Sequence, residues 1–229
     1  MRAVRAEHAG PPEVLTLVEV PDPVAGPGEV LVEVEVAAIT FVETLVRSGA
    51  FARPGAPSAF PLVPGNGVAG TIAAVGEGVS PALVGRRVVT TTGGSGGYAE
   101  LVVVPADEPH LVPDGLDLRA AAAMVADGRT AIGLFGAAAP GPGDRVLVTA
   151  AGGGVGSLLV QLARQADVTE VVALAGAEPK RARARDLGAD VVVDYRAPGW
   201  PGEVRAATGG HGVDVAFDGV GGAVGADVV

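Results

Sequence analysis

Apolar and polar positions alternate over residues 30–36. Val30, Val32, Val34 and Val36 fall on one side of an extended chain, with Leu31, Glu33 and Glu35 on the other. This period of two predicts a strand with one buried and one mostly wet face. Residues 70–75, 87–91 and 98–104 read as further strands, separated by turns at Gly76, Gly78 and Gly85 and by a flexible tip over 93–97. Residues 1–36 read as β structure punctuated by Pro21-Asp22-Pro23 and Gly26-Pro27-Gly28. A short helix is expected over 40–48 and a Pro/Gly loop over 49–64. Together these pieces predict a compact all-β module.

The period then changes. Pro113 and Asp114 precede an alanine-rich helix over about 118–126, Asp127-Gly128 is expected to break it, and a second helix is expected to start near Thr130. Val146, Leu147 and Val148 form a short apolar run, the mark of a parallel strand buried on both faces. Glycines follow at 152, 153, 154 and 156. Then Val155, Leu158, Leu159, Leu162, Ala163 and Ala166 recur at helical spacing, with Gln161, Arg164 and Gln165 on the other face. The alternation continues with a strand over 171–175, a charged helix over about 178–187, and strands over 191–193 and 213–217. Strands alternating with helices imply right-handed βαβ units and a parallel sheet. The domain boundary is expected near residue 122, giving a first domain over 1–122 and a second over 123–229.

Composition narrows the picture. The 229 residues are 48% hydrophobic, enough to bury the core of one large or two small domains. No run reaches transmembrane length and no secretory leader pattern opens the chain, so a cytoplasmic protein without a membrane partner is expected. A net charge of −10 argues against nucleic acid as a partner. The absence of cysteine removes disulfides, thiolate zinc sites and cysteine nucleophiles.

The chemistry gathers at the glycine turn. A strand that passes through glycines into a helix presents free amides and a positive dipole end, which suit a pyrophosphate. The spacing is Ala150-x-x-Gly153-x-x-Gly156 rather than G-x-G-x-x-G, and a turn that merely packs tightly is the competing reading. About 20 residues on, where an NAD site usually places an acid, the chain has Ala175-Gly176-Ala177, followed by Lys180, Arg181, Arg183 and Arg185. Those cations suit a 2′-phosphate. Alternatively they form a solvated helix face with a Glu178–Arg181 pair. Glu43 and Arg47 are expected to form a local i, i+4 pair, and Phe51 to pack within its loop. His8 and His110 are expected on the surface, and His211 in a turn.

In this order, Arg47-Ser48-Gly49, Pro64-Gly65-Asn66-Gly67-Val68-Ala69-Gly70, Gly97-Tyr98-Ala99-Glu100, Thr130-Ala131, the Ala150/Gly153/Gly156 turn and Asp218-x-Val220-Gly221 resemble the zinc-free quinone oxidoreductases, the zeta-crystallin group of the medium-chain dehydrogenases/reductases. The resemblance runs over about residues 1–222. It implies an α/β protein with an N-terminal GroES-like β domain, a Rossmann dinucleotide-binding domain and an active cleft between them. The implied reaction is metal-free hydride transfer from NADPH to a small-molecule quinone, enone or similar conjugated carbonyl. An enoyl-thioester reductase, or a non-catalytic NADPH-binding or regulatory protein, are the other readings.

The resemblance places Ala151, Gly152, Gly153, Gly154, Val155, Gly156 and Gly176 around the cofactor, with Lys180 and Tyr195 near the adenosine phosphate and Val220 nearby. Thr130 would meet the nicotinamide end, unless it only caps a helix. Thr40, where many relatives have Asn, would serve the substrate side together with Leu45, where many have Tyr. Zinc relatives carry Gly-His-Glu where this chain has Gly65-Asn66-Gly67, so no metal is expected. The sequence ends where a helix should lead to a fifth Rossmann strand, so the sheet is expected to be truncated after its fourth. It is read as part of a longer enzyme, ahead of a natural short form or a degenerate binder. A homodimer through the sheet edge is common in the family, and that edge strand is missing here.

Overall fold

The computed structural model describes residues 1–51 and 60–228, so the middle of the loop expected over 49–64 lies outside the described residues. The chain divides into two compact units, Met1–Ala126 and Asp127–Val229.

In the first unit β1 (Arg2–Ala6) pairs antiparallel with β2 (Leu15–Glu19). Five more strands form an antiparallel sheet: β3 (Glu29–Ala37), β4 (Gly67–Val75), β5 (Arg87–Thr91), β6 (Leu101–Pro105) and β7 (His110–Leu111), in the order β6-β3-β4-β5-β7. The alternation at 30–36 does what its period requires. Val30 and Val32 are fully buried, with Val68, Ile72 and Val88 in the same cluster, while Glu33 and Glu35 face water. Each fully buried valine contributes roughly 1.5–3 kcal/mol relative to leaving it exposed. Helix α1 (Phe41–Ser48) follows β3 and closes on Gly49, whose φ of 82° is a left-handed C-cap that favours glycine.

Helix α2 (Leu118–Ala138) runs through the division between the units as one unbroken helix. The break expected at Asp127-Gly128 does not occur. Gly128 is buried within the helix, and helix propensity is a weak prior that burial overrides.

The second unit is a parallel sheet of β8 (Arg145–Val148), β9 (Glu170–Leu174), β10 (Val191–Val193) and β11 (Val215–Phe217), in the order β10-β9-β8-β11. The intervening helices are α3 (Gly154–Gln165), α4 (Glu178–Asp186) and α5 (Trp200–Ala207), and α6 (Gly222–Val228) follows β11. Four strands in the order three-two-one-four are the expected part of a doubly wound Rossmann sheet. Val146, Val148, Val171 and Ala173 are fully buried against Leu159, Val160 and Ala163 of α3. Leu147, Val172, Leu174 and Val193 pack on the opposite face with Trp200 and Val204 of α5. Because β8 lies between β9 and β11, the winding reverses at its carboxyl end, where α/β sheets open a ligand crevice.

Candidate functional site

At the carboxyl end of β8 the backbone turns through Thr149 to Gly153 and enters α3 at Gly154. Gly156 makes this turn possible, since a Cβ there would run into the carbonyl of Ala150. Gly153 is the N-cap, with extended backbone (φ −90°, ψ −179°) and no capping side chain. Among the described residues no protein acceptor takes the amides of Gly154, Val155 and Gly156. These orphan donors border a cavity of about 470 Å³ lined by Thr130, Leu134, Thr149, Ala150, Gly153 to Gly156, Leu159 and Ala216 to Gly219. Phe217, stacked on Phe135 with ring centroids 6.0 Å apart, lines one wall.

The far side of the cavity is fixed by Thr149, which sequence reasoning missed, and by Asp218, which it quoted only as part of the Asp218-x-Val220-Gly221 motif. Thr149 Oγ1 donates to Asp218 (2.9 Å) and accepts from the amide of Gly219 (2.9 Å). Asp218 in turn accepts from the amides of Val220 and Gly221. The Val220 amide, with further help from Thr149 and Gly221, holds the Asp218 carboxyl below its ordinary range. The Asp218-x-Val220-Gly221 motif therefore locks the loop that carries Val220. A hydroxyl at the end of one strand facing an acid at the end of its neighbour was the available signal.

Thr130 lies inside α2 and lines the cavity, so it is not the helix cap that one reading allowed. One turn earlier on the same helix, Asp127 places its carboxylate where a Cβ on Gly154 would stand. Burial pushes the Asp127 carboxyl above 3.8. A raised value means that the fold favours the protonated acid. The penalty is absent below 3.8 and complete once the pH exceeds the folded value. Asp127→Asn is therefore expected to melt higher than the parent at pH 7, with the difference closing as the pH falls below about 4. Melting curves across that range check it, and a constant difference would discard the desolvation argument.

The cations after β9 have distinct surroundings. Glu178 binds Arg181 (2.7 Å) and Arg185 (3.0 Å), so the expected i, i+3 pair is present. Those two guanidiniums, Arg185 first, hold the Glu178 carboxyl below its usual range. Lys180 is exposed and has no ion pair among the described residues, and its stem lies over Gly152, where a Cβ would come within 2.5 Å. Leu174 ends β9 and is followed by buried Ala175 and Gly176, with no acid at that position.

In the first unit, Thr40 caps α1, and Glu43 folds back to accept from the Thr40 amide (2.6 Å). The same carboxylate, 7% exposed, accepts from the amide of Asn66 (2.6 Å) and the hydroxyl of Tyr98 (3.2 Å). The Glu43–Arg47 pair expected from spacing is therefore absent among the described residues. Glu43 turns towards the helix start, and Arg47 donates to the Gly10 carbonyl (3.3 Å). Burial, then the Glu43 charge, pushes the Tyr98 phenol well above its ordinary value, so it stays a donor at working pH. Thr40 Oγ1 approaches the Glu43 amide without hydrogen-bond geometry, and is buried with no partner among the described residues. Phe51 is 54% exposed, and His8, His110 and His211 are all at the surface.

Two family profiles match the chain: "Alcohol dehydrogenase GroES-like domain" over residues 26–114 and "Zinc-binding dehydrogenase" over 154–228. A mycobacterial protein solved in complex with NADPH is 38% identical; the superposition covers all of this chain and 69% of that one, with a TM-score of 0.87. The chain belongs to the medium-chain dehydrogenase/reductase family. Within that family it falls in the zeta-crystallin-like quinone oxidoreductase group. The quinone oxidoreductase of Rattus norvegicus is 37% identical over 222 residues, which is 95% of this chain and 66% of that one. The chain thus spans just under two thirds of the length of that curated relative. A structure described as an NAD-dependent alcohol dehydrogenase is 36% identical and has a TM-score of 0.91, covering all of this chain and 73% of its own. Among the described residues no helix is long and apolar enough to cross a membrane, and no three His, Cys, Asp or Glu side chains cluster as metal ligands would.

Proposed function

We propose that the protein is an NADPH-dependent oxidoreductase of the quinone reductase type, acting on a quinone, enone or similar conjugated carbonyl. Its relatives include both an NADPH complex and a protein described as NAD-dependent, so the cofactor has to be argued from this chain's own residues. The observation that carries the choice is the end of β9. It carries no acid to receive a ribose 2′-hydroxyl, and the next helix offers Lys180, which has no ion pair among the described residues. Glu178, the nearest carboxylate, is already neutralised by two arginines.

The residues present fit NADPH. The amides of Gly154, Val155 and Gly156 would hold the pyrophosphate, with Ala151, Gly152 and Gly153 leaving room for it. Gly176, Lys180 and Tyr195 would hold the adenosine end, and Thr130 and Val220 the nicotinamide end. When bound, the nicotinamide supplies the hydride. The chain's task is to position it, keep water from the cavity and stabilise charge on the acceptor oxygen. The Thr40 hydroxyl, buried and with no acceptor among the described residues, is a donor suited to that oxygen. Leu45 offers no donor, which favours an acceptor of lower polarity. With no cysteine and Asn66 in the Gly65–Gly67 turn, we assign no metal, and we take the proton from solvent. The working form is a cytoplasmic enzyme of small molecules that binds neither nucleic acid nor membrane. Homodimer formation is an open prediction for light scattering.

The test is a titration with NADPH and with NADH, followed by nicotinamide fluorescence, then turnover with 1,4-benzoquinone and with a crotonyl thioester. Saturable binding that prefers NADPH, with quinone turnover, is expected. Binding without turnover would make it a non-catalytic NADPH-binding protein, and turnover of the thioester alone an enoyl reductase. Lys180→Ala is expected to weaken NADPH roughly tenfold and leave NADH within about twofold, because only NADPH carries the charge that Lys180 meets. Equal losses would remove Lys180 from the phosphate site.

A further inference from the structure

We propose that Arg196 is a second cation of the adenosine-phosphate subsite, and that Asp194 is the counter-ion it gives up when the phosphate arrives. The proposal deepens the NADPH reading and rests on it. Arg196 follows β10, two strands from the glycine turn, and spacing arguments drawn from the β9–α4 segment do not reach it.

The strand ends bring the pieces together. The Ala151 amide donates to the Leu174 carbonyl (3.0 Å), and the Ala175 amide to the Val193 carbonyl (3.1 Å). The residues leaving β8, β9 and β10 are therefore neighbours. Gly176 lies beneath two side chains, since a Cβ there would stand 3.0 Å from Cδ and Nε of Arg196 and 3.2 Å from the Tyr195 hydroxyl. Lys180 covers Gly152 on the adjoining strand end. Four cations (Lys180, Arg181, Arg185 and Arg196) are tied by contacts to this end of the sheet, with two carboxylates, Glu178 and Asp194, between them. The excess favours a dianion.

Arg196 is the guanidinium able to change partner. Arg181 is only 18% exposed and is tied to Glu178, to Asp194 (2.6 Å) and to the Gly176 carbonyl (2.6 Å), so its role is structural. Arg185 is bound to Glu178. Arg196 is 58% exposed and grips Asp194 with a fork, Nε to Oδ1 at 3.0 Å and Nη2 to Oδ2 at 2.9 Å. A phosphate monoester accepts the same fork with twice the charge. Asp194 would not be orphaned by the exchange, because Arg181 and the Arg196 amide (3.0 Å) remain bonded to it. The Arg196 amide first, then the Arg196 guanidinium and Arg181, keep its carboxyl below the ordinary range, so it is charged and able to hold Arg196.

The experiment is a fluorescence titration of the parent protein, Arg196→Gln, Arg196→Lys and Asp194→Asn with NADPH and NADH, with competition by 2′,5′-ADP and 5′-ADP. Arg196→Gln is expected to lose roughly tenfold in affinity for NADPH and 2′,5′-ADP, while NADH and 5′-ADP move less than about twofold. Arg196→Lys, which keeps the charge without the fork, is expected to fall between. Asp194→Asn is expected to bind NADPH as well as the parent or better, since its guanidinium is released. If the parent binds NADPH but Arg196→Gln leaves the NADPH/NADH ratio unchanged, this inference fails alone. If Asp194→Asn weakens NADPH selectively, the counter-ion role fails. If the parent binds no NADPH, the functional reading fails and takes the inference with it.

Discussion

Gly153→Val is expected to fold as the parent does and to lose dinucleotide binding by at least about a hundredfold, roughly 2.7 kcal/mol. The two halves of that expectation have separate causes. Gly153 has extended backbone that any residue adopts, and the nearest atom to an added Cβ is the Ala150 carbonyl oxygen at 3.1 Å, so the turn survives with a small adjustment. The branches of valine, however, would stand in the cavity in front of the amides of Gly154, Val155 and Gly156. Gly156→Val is the contrasting case, because its side chain would strike the Ala150 carbonyl and break the packing of α3 on β8. Fluorescence titration beside thermal melting separates the two. A Gly153→Val protein with unchanged NADPH affinity would remove the glycine turn from the cofactor site.

Glu43→Ala is expected to cost roughly 2–4 kcal/mol of first-unit stability, because three donors lose one acceptor at once. The amides of Thr40 and Asn66 and the hydroxyl of Tyr98 come from three separate segments, and the carboxylate is 7% exposed. Glu43→Gln keeps an acceptor and the side-chain volume, and is expected to recover about half of the loss. Calorimetry on both variants checks the order. A Glu43→Ala protein that melts with the parent would show that water replaces the carboxylate without penalty.

Much of this arrangement was legible along the chain. The alternation at Val30 and Val32 and the apolar run at Val146, Leu147 and Val148 identified strands because burial acts on each position separately. The glycine turn was legible because a Cβ at Gly156 is forbidden by covalent geometry close by in sequence. What stayed hidden depends on partners distant along the chain. Glu43 looked like the acid of an i, i+4 pair, yet Asn66 and Tyr98 claim it from 23 and 55 residues away. Asp218 is paired with Thr149, 69 residues earlier, and Arg196 lies over Gly176 only because β9 and β10 are neighbours. The Asp127-Gly128 break failed for a related reason: propensity counts the isolated helix, whereas Gly128 is buried in the folded one.

Trp200, packed in the second unit beneath Leu147, Val172 and Leu174, is the single tryptophan of the sequence. The chain therefore carries one intrinsic dye, placed wholly in one of its two units. Its emission maximum reports water entering the second unit alone, whereas the first unit, with Tyr98 as its only tyrosine, melts without a tryptophan signal. Scanning tryptophan emission together with far-ultraviolet dichroism would thus count the cooperative units without any label, one shared transition for coupled units and two for independent ones.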